Sequence, residues 1–281
     1  MSHSPKTPCG YAGLRWSGWT DRGPLRPNNE DSFLGVCFDG RETQLLGKFG
    51  QAPARSMDFA FAVSDGMGGA KAGEYASRIA TEKIAVLLPR SFRQSALGLQ
   101  TGFTEVLEEL FDQIHRALAF LGGSYQECAG METTLSLCWF TPGWLYFGHI
   151  GDSRVYYLPA RADAIKQLSH DDTHVGWLLR QRRINEREAR SHPRRHVLQK
   201  ALGGANQFVD PQVGAVACET GDIFLLCSDG LVEGLYDQDM SEHLRAHESA
   251  GAGAGLARRL VEAALAKGAR DNVTALVIEL V

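Results

Sequence analysis

Residues 133–158, TTLSLCWFTPGWLYFGHIGDSRVYYL, predict three consecutive β-strands, over residues 133–140, 144–150 and 154–158. Each run is rich in apolar, aromatic and β-branched residues, a composition that is typical of strands in a folded core. Thr141-Pro142-Gly143 separates the first two runs and predicts a hairpin turn. This stretch therefore indicates strands that are joined by short connections rather than by helices.

Two long helices are predicted upstream of these strands. The first covers residues 74–88, and the second covers residues 103–121 and is predicted to end at Gly122-Gly123. Because the two helices are consecutive and are flanked by hairpin-linked strands, the pattern favours an α+β fold over an alternating βαβ arrangement. We expect the helices to pack on antiparallel sheets, because two sheets with helices outside them would bury all of the apolar strands.

The remaining segments complete this outline. Further strands are predicted at residues 15–21, 32–38, 59–63, 223–227 and 273–280, and a further helix at residues 256–266. Residues 39–57 carry Gly, Pro, Gln and Lys and predict an exposed hairpin or loop insertion, and the helix-forming, Arg-rich residues 172–204 are interpreted as a small flap between strands. We expect a flexible N-terminus over residues 1–13 and a single domain over residues 14–281.

Composition excludes several classes of protein. The chain has 281 residues, of which 44% are hydrophobic and 22% charged, and its net charge of -4 does not suggest a nucleic-acid or anionic-membrane partner. No apolar stretch is long enough to span a bilayer, and the polar residues 1–14 do not resemble a secretory signal. The six cysteines form no CxxC pair. They are interpreted as buried, reduced thiols of a cytoplasmic protein rather than as zinc ligands or disulfides.

Four short acidic motifs at or near turns indicate the chemistry of the chain. They are Asn29-Glu30-Asp31, Asp65-Gly66-Met67-Gly68-Gly69, Ser228-Asp229-Gly230 and Arg270-Asp271-Asn272. Any one of these acids is equally consistent with an ordinary turn residue. If the four motifs meet in space, their oxygen ligands suit two Mg²⁺ or Mn²⁺ ions about 4 Å apart, and the predicted chemistry is attack of metal-activated water on a phosphoryl group.

Six motifs, in order along the chain, resemble those of the metal-dependent protein phosphatases, the PPM or type 2C family, in its bacterial form. They are Arg26-Pro27-Asn28-Asn29-Glu30-Asp31, Asp65-Gly66-Met67-Gly68-Gly69, Gly130-Met131-Glu132-Thr133-Thr134-Leu135, Gly151-Asp152-Ser153-Arg154, Ser228-Asp229-Gly230 and Asp271-Asn272. The resemblance extends over residues 14–281. It implies a central sandwich of two antiparallel sheets that is flanked by helix pairs, with the metals in a cleft at one end.

The resemblance also implies roles for single residues in metal binding. Asp65 is expected to bridge two Mn²⁺ or Mg²⁺ ions and the nucleophilic water, and Gly66 to offer its backbone carbonyl to one of the ions. Asp229 and Asp271 are expected to hold the first metal.

The second metal is assigned to Asp31 or Glu30, partly through water. Asp152 matches the residue that shares a weak third ion with Asp229 in bacterial members. Arg26 is expected to clamp the substrate phosphate, for which a planar guanidinium is better suited than a lysine.

Two positions depart from the family pattern. Met67 stands where the eukaryotic form has a histidine that is proposed as general acid, so the acid here must be a water or another group. Glu132 stands where relatives usually have glycine, and the sequence leaves open whether it faces the cleft or the solvent. His149, His170 and Arg154 are interpreted as structural residues.

A second set of positions is assigned to structure rather than to chemistry. Thr133 and Thr134 are expected to pack and to form hydrogen bonds, and Asn272 is expected to cap a turn.

The function that follows from the resemblance is hydrolysis of phosphoserine and phosphothreonine in proteins. The expected partners are phosphoproteins and a Ser/Thr protein kinase whose action the enzyme reverses. Two alternatives remain: a pseudophosphatase that binds phosphoproteins, for which only Glu132 argues, and a partner-switching regulatory phosphatase. The second alternative usually lacks the flap that residues 172–204 form, so a housekeeping phosphatase is favoured.

The flap is locally basic. Eight basic residues stand against two acidic ones over residues 180–200, a net charge of +6 in a chain that is negative overall. This charge is consistent with a solvated helix face or with a patch that attracts acidic phosphoprotein segments. Nucleic-acid binding is not predicted, because no aromatic residues interleave with these charges.

Overall fold

The computed structural model describes residues 10–54, 57–68, 71–96, 102–204, 209–246 and 255–281. Within these ranges the chain forms fourteen β-strands and seven α-helices. Cys9, Gly69 and most of the predicted N-terminal segment lie outside the described residues.

The first of two antiparallel sheets contains six strands within the described ranges. In spatial order they are β10 (Lys166–Gln167), β9 (Arg154–Leu158), β13 (Ile223–Cys227), β14 (Val273–Leu280), β1 (Gly13–Asp21) and β4 (Phe49–Pro53). Thr20, near the end of β1, lies opposite Thr274 near the start of β14. The end of β13 lies at the same edge, because Cys227 pairs with Ala275.

The second sheet contains eight strands in the described part of the chain. Its main path runs through β11 (Leu202–Gly203), β6 (Glu132–Thr133), β5 (Asp58–Met67), β7 (Leu135–Thr141), β8 (Trp144–Ile150) and β12 (Gln212–Ala217). Two more strands, β2 (Asp31–Phe38) and β3 (Thr43–Leu45), extend from β5. The antiparallel register of β2 and β5 places Asp31 opposite Asp65.

The two sheets pack face to face, and helices cover both outer faces. A core between the sheets contains Phe61, Phe140 and Phe224, all fully buried. Helices α1 (Ala72–Ala96) and α2 (Phe103–Ser124) bury their apolar faces against the second sheet. Helices α5 (Asp229–Gly234), α6 (Asp237–Arg245) and α7 (Leu256–Ala266) cover the first sheet. The predicted α+β sandwich with flanking helices is therefore confirmed.

The Arg-rich segment between β10 and β12 contains two short helices, α3 (His174–Arg180) and α4 (Glu186–Ser191). The Thr173 side chain caps α3 by accepting a hydrogen bond from the Gly176 N–H. Asn185 and Glu188 form a reciprocal capping box at the start of α4. These caps satisfy backbone N–H groups at the starts of both helices, which helps so polar a segment to form them.

Three local features differ from what the sequence predicts. Helix α2 continues through Gly122-Gly123 to Ser124, because neither glycine adopts the left-handed conformation that would end it. Residues 39–57 are exposed as expected, yet β3 pairs with β2 whereas β4 pairs with β1, so the segment crosses between the two sheets. Strand β12 and the short helices α5 and α6 were not predicted, since their apolar patterns are brief.

The cysteines that the structure describes are free thiols: Cys37, Cys128, Cys138, Cys218 and Cys227. Burial raises the pKa of several of them, among them Cys138, which keeps these thiols protonated and unreactive. Four of these five are buried as predicted, whereas Cys128 is only partly buried. None of the helices in the described ranges has the length and apolarity that crossing a bilayer requires.

Candidate metal centre

The acidic motifs converge because neighbouring antiparallel strands place the start of one strand beside the end of the next, at one edge of the sandwich. Asp31 begins β2 and lies opposite Asp65 near the end of β5. Asp229 follows β13 directly after Ser228, and Asp271 precedes β14, the neighbouring strand of the same sheet. The edges of the two sheets thus bring together four carboxylates that are far apart in the sequence.

A cleft of about 530 Å³ opens at this edge. Seven of the eight predicted site residues line it: Arg26, Glu30, Asp65, Gly66, Asp152, Asp229 and Asp271. The eighth, Asp31, lies behind the cleft. The sequence could not choose between Glu30 and Asp31 as a ligand of the second metal. In the structure, Glu30 lines the cleft and Asp31 does not.

Asp31 is buried between the two sheets. Its Oδ2 accepts hydrogen bonds from Ser228 Oγ at 2.7 Å and from Thr274 Oγ1 at 2.6 Å. Its Oδ1 is buried and has no hydrogen-bond partner among the described residues. Burial, and then the nearby carboxylates of Asp229 and Asp271, raise the pKa of Asp31 to about 7, although its two hydrogen bonds oppose that shift.

The other carboxylates share this environment. Burial, followed by the repulsion of neighbouring acids, raises the pKa of Asp65 and that of Asp152 well above the ordinary range. The Oδ1 atom of Asp229 is also buried without a hydrogen-bond partner in the part of the chain that the structure describes. Burying an ionised carboxylate whose oxygens lack partners costs several kcal/mol of folding free energy. A cluster of this kind suits cations that would neutralise it.

Gly66 is required by close packing of the backbone. A Cβ atom at this position would lie 1.9 Å from the backbone oxygen of Gly73 and 3.0 Å from that of Glu30. The absence of a side chain lets three segments of backbone meet at the floor of the cleft. The glycine of the Asp-Gly motif is therefore a requirement of the site and not only of a turn.

Asn272 positions the loop that carries Arg26 and Glu30. Its side-chain oxygen accepts a hydrogen bond from the Glu30 N–H at 2.8 Å. Its amide donates to the backbone oxygens of Arg22 at 2.7 Å and Asn28 at 2.9 Å. Asn272 therefore fastens a whole loop to the start of β14, a larger role than the predicted turn cap.

Two threonines hold the backbone of Asp65. The Thr134 hydroxyl accepts from the Asp65 N–H at 3.0 Å, and the Thr133 hydroxyl donates to the Asp65 carbonyl at 2.8 Å. The predicted hydrogen-bonding role of both threonines is confirmed. Arg154 forms a two-pronged ion pair with Asp171 at 2.8 and 2.7 Å, which confirms its structural interpretation.

Arg26 is the cationic residue at the cleft that the sequence assigned to phosphate binding. Its Nη2 lies 2.5 Å from Asp271 Oδ2, and about half of its side chain is exposed. This hydrogen bond, together with the neighbouring acids, raises the pKa of Arg26. The guanidinium has five N–H donors, so a pair with one carboxylate leaves donors for a second anion.

The donor set fits hard divalent cations that keep part of their water. No three His, Cys, Asp or Glu side chains among the described residues are close enough to form a complete ligand set for one ion. Mg²⁺ is usually bound by one or two carboxylates together with several waters, so a wide ring of acids is suited to it. The Oδ1 atoms of Asp31 and Asp229 are buried without a hydrogen-bond partner among the described residues, which independently indicates that the cluster suits a cation.

His196 is a cleft residue that the sequence analysis missed. It belongs to the Arg-rich segment, lines the cleft, and places its Nδ1 3.4 Å from Asp229 Oδ2. Asp229, through this contact, raises the pKa of His196. No local pattern marks this histidine, because it follows two arginines in a polar loop that reaches the site only through tertiary packing.

The two departures from the family pattern have different outcomes. Met67 lines the cleft, where it can donate no proton. Glu132 is not among the lining residues; its Oε1 packs against Gly204, at the end of the flap. His149 is buried and bonded to Ser136 Oγ at 2.9 Å, so its structural interpretation is confirmed.

Comparison with known proteins agrees with this site. A sequence profile described as protein phosphatase 2C matches residues 49–266. The chain is 35% identical over 268 residues to the serine/threonine protein phosphatase PstP of Mycobacterium tuberculosis (strain ATCC 25618 / H37Rv), an alignment that covers 95% of this chain and 45% of that protein. This chain therefore spans less than half the length of PstP.

Two further relatives extend the comparison. The chain is 30% identical over 261 residues to the serine/threonine phosphatase stp of Listeria innocua serovar 6a, covering 92% of this chain and 93% of that protein. A crystal structure of the catalytic domain of PstP in complex with two manganese ions has a TM-score of 0.73 and 31% identity, and covers 96% of this chain and 99% of that chain. The resemblance of the six motifs is thereby confirmed, and the chain belongs to the protein phosphatase 2C family.

Proposed function

We propose that this chain is a metal-dependent protein phosphatase that hydrolyses phosphoserine and phosphothreonine in proteins. The observation that carries the proposal is the convergence of Arg26 with five carboxylates and Gly66 in one cleft. Relatives that align over most of this chain are named serine/threonine phosphatases. The reaction consumes one water and releases the protein hydroxyl and inorganic phosphate.

Two Mn²⁺ or Mg²⁺ ions are the proposed cofactors, as in the PstP catalytic domain that contains two manganese ions. Asp65, Asp229, Asp271 and Glu30, with the Gly66 carbonyl, are the proposed ligands, and Asp31 supports them from behind. Asp152 and Asp229 are the residues that would hold a third, weaker ion. When bound, such ions neutralise phosphoryl charge and make a water acidic enough to attack at neutral pH.

The chain's own residues supply position and charge. Arg26 offers N–H donors to the phosphoryl oxygens, whose negative charge is spread over several atoms in the transition state. The threonine hydrogen bonds to the Asp65 backbone hold that carboxylate in one place. We propose direct attack by water, without a covalent phosphoenzyme, because the acids at the cleft are proposed as metal ligands.

The alternatives are now less well supported. The pseudophosphatase alternative relied on Glu132, which lies outside the cleft. The partner-switching alternative is disfavoured by the presence of α3 and α4 in the flap. We propose that the enzyme reverses a Ser/Thr protein kinase in the cytoplasm, where free thiols such as Cys37 and Cys138 would remain reduced.

The test is hydrolysis of an aryl phosphate and of a phosphothreonine peptide by wild type, Asp65→Ala and Asp229→Ala. Wild type is expected to require Mn²⁺ or Mg²⁺ and to lose activity in EDTA. Each variant is expected to lose at least about 1000-fold in kcat/KM. Asp163→Ala, which changes an exposed acid outside the cleft, is the matched control. Full activity in either cleft variant, or in wild type with EDTA, overturns the proposal.

A further inference from the structure

The basic residues of the flap divide into two groups once their contacts are known. Four of the eight are engaged within the molecule. Arg180 donates to the backbone oxygen of Asp171, Lys200 pairs with Asp210 at 2.8 Å, and Arg195 lies 3.8 Å from Glu233. Arg190 donates to two backbone oxygens near the end of α5. These four residues connect the flap to segments outside it.

The other four are Arg182, Arg183, Arg187 and Arg194, here called the outer arginines. All four are exposed, and none forms an ion pair with a described residue. They do not line the cleft or the cavity between the flap and α5. Arg183 places its guanidinium 4.9 Å from the centre of the Trp177 ring, which leaves its N–H edge available.

The acids of the flap offset this group only in part. Glu188 accepts a hydrogen bond from the Asn185 N–H at 2.8 Å in the capping box of α4. Glu186 lines the cavity between the flap and α5, together with Arg190 on the same helix. Glu186 and Arg190 line this cavity, and Arg187 does not. Uncompensated positive charge therefore accumulates on the outside of the flap.

Arg194 carries part of this charge close to the cleft, in a chain whose net charge is -4. His196 and Leu198, only a few residues beyond Arg194, line the cleft itself. A local positive surface favours the approach of an acidic segment to a protein whose net charge is negative. Arginine is well suited to carboxylates, because its planar fork donates two parallel hydrogen bonds.

We propose that the outer arginines form a docking surface for acidic residues that flank the phosphoserine or phosphothreonine of a protein substrate. The proposal rests on the phosphatase function proposed above and names the class of substrate that it favours. Docking outside the cleft strengthens the encounter and ground-state binding, and does not touch the reacting atoms. Its effect is therefore expected in KM and in salt dependence, and not in kcat.

A segment of nucleic acid fits this surface less well. Non-specific single-strand binding combines basic grooves with aromatic residues on which bases stack. Trp177 is the one exposed large aromatic residue within the flap as described, and it is already in contact with His174 and Arg183. The acidic protein segment is accordingly the occupant that we test.

The test compares two phosphothreonine peptides of one sequence, flanked either by Asp and Glu or by Asn and Gln. The variant is Arg182→Gln/Arg187→Gln/Arg194→Gln, which retains the contact between Arg183 and Trp177. The control is Arg41→Gln/Arg161→Gln/Lys166→Gln, an equal loss of charge at exposed positions outside the flap. Wild type is expected to prefer the acidic peptide by about fivefold in KM, and to lose the preference at about 0.5 M salt.

The flap variant is expected to lose this preference, with kcat and aryl phosphate hydrolysis unchanged, whereas the control variant keeps it. Equal KM values for the two peptides in wild type, or the same change in flap and control variants, overturn the proposal. So does tighter binding of a single-stranded oligonucleotide than of the acidic peptide in fluorescence anisotropy at about 0.15 M salt. If wild type does not hydrolyse aryl phosphate, the phosphatase function fails, and peptide anisotropy still decides whether the surface docks acidic segments.

Discussion

The Nη2 atom of Arg26 donates a hydrogen bond to Asp271 Oδ2 over 2.5 Å, so the residue assigned to phosphate and a residue assigned to metal are already paired. The pair joins the loop before β2 to the turn before β14. A cation held by the Asp271 carboxylate would compete with Arg26 for it and would leave more of the guanidinium N–H donors for a second anion. Phosphate binding and metal binding are thereby linked through one ion pair.

Replacing Arg26 tests this link. We expect Arg26→Ala to lower kcat/KM for an aryl phosphate by about 100-fold, because the phosphoryl oxygens lose a two-pronged donor. Arg26→Lys is expected to restore only part of that loss, since an ammonium lacks the planar fork. In Arg26→Ala the unpaired Asp271 should also lower the Mn²⁺ concentration that gives half-maximal activity. Arg116→Ala, another exposed ion-paired arginine, is the control; full recovery with lysine contradicts the assignment.

The buried Asp31 makes the stability of the metal-free protein depend on pH. Its pKa is about 7 in the folded protein, chiefly because of burial, and about 4 in an unfolded chain. The folded state therefore holds a proton that the unfolded state has lost over this range. Its stabilising effect is complete below about pH 4 and is lost as the pH rises to 7. Asp65 and Asp152, whose pKa values are also raised, act in the same direction.

We expect Asp31→Asn to flatten part of this dependence. In urea denaturation with EDTA, wild type should lose on the order of 2 kcal/mol more than the variant between pH 4.5 and 7.5. Addition of Mn²⁺ should restabilise wild type above pH 7, because a bound cation stabilises the ionised carboxylates. Parallel pH profiles for the two proteins would show that Asp31 does not carry this proton.

Arg190 fastens the flap to the helix that begins with Asp229. Its guanidinium donates to the backbone oxygens of Val232 at 2.6 Å and Leu235 at 2.8 Å, and lies 3.8 Å from the centre of the Tyr236 ring. These carbonyls lie at the end of α5, where helical partners are missing.

We expect Arg190→Ala to lower the free energy of unfolding by about 1–3 kcal/mol. A glutamate-specific protease should cut the flap at Glu186 or Glu188 about tenfold faster in this variant than in wild type. Arg187→Ala, on the same helix and without an ion pair to a described residue, is expected to change neither quantity. Equal cleavage rates for both variants would show that Arg190 does not hold the flap.

Gly123 lies inside α2, with nothing within 4 Å of the position that a Cβ atom would occupy. We expect Gly123→Ala to raise the free energy of unfolding by about 0.5–1 kcal/mol, because alanine loses less backbone entropy in a helix. Gly122→Ala is the comparison, since its Cβ would lie 3.3 Å from the Cys128 oxygen and should gain less. A destabilised Gly123→Ala protein would show that the helix ends earlier in solution.

Patterns that are local in the sequence predicted most of the fold. Alternating or continuous apolar runs identified β5, β7, β8, β13 and β14, and helical periodicity identified α1, α2 and α7, because these signals arise from neighbours in the chain. The predicted end of α2 was wrong, since a pair of glycines permits a helix to end but does not force it to. The partners of β3 and β4 could not be predicted, because the residues of a short polar strand do not indicate which sheet it joins.

The sequence by itself indicated the chemistry of the site: acids at or near strand ends, and Arg26 in the loop before β2, in an order typical of one family. Only the tertiary structure decided which acids face the cleft. Asp31 turns inward because Ser228 and Thr274, 197 and 243 residues away in the chain, donate hydrogen bonds to it. The same packing brings His196 to Asp229, and it leaves four flap arginines without an ion pair to any described residue. Contacts between distant segments have no local signature, and they are what assigns a side chain to a surface, a core or a site.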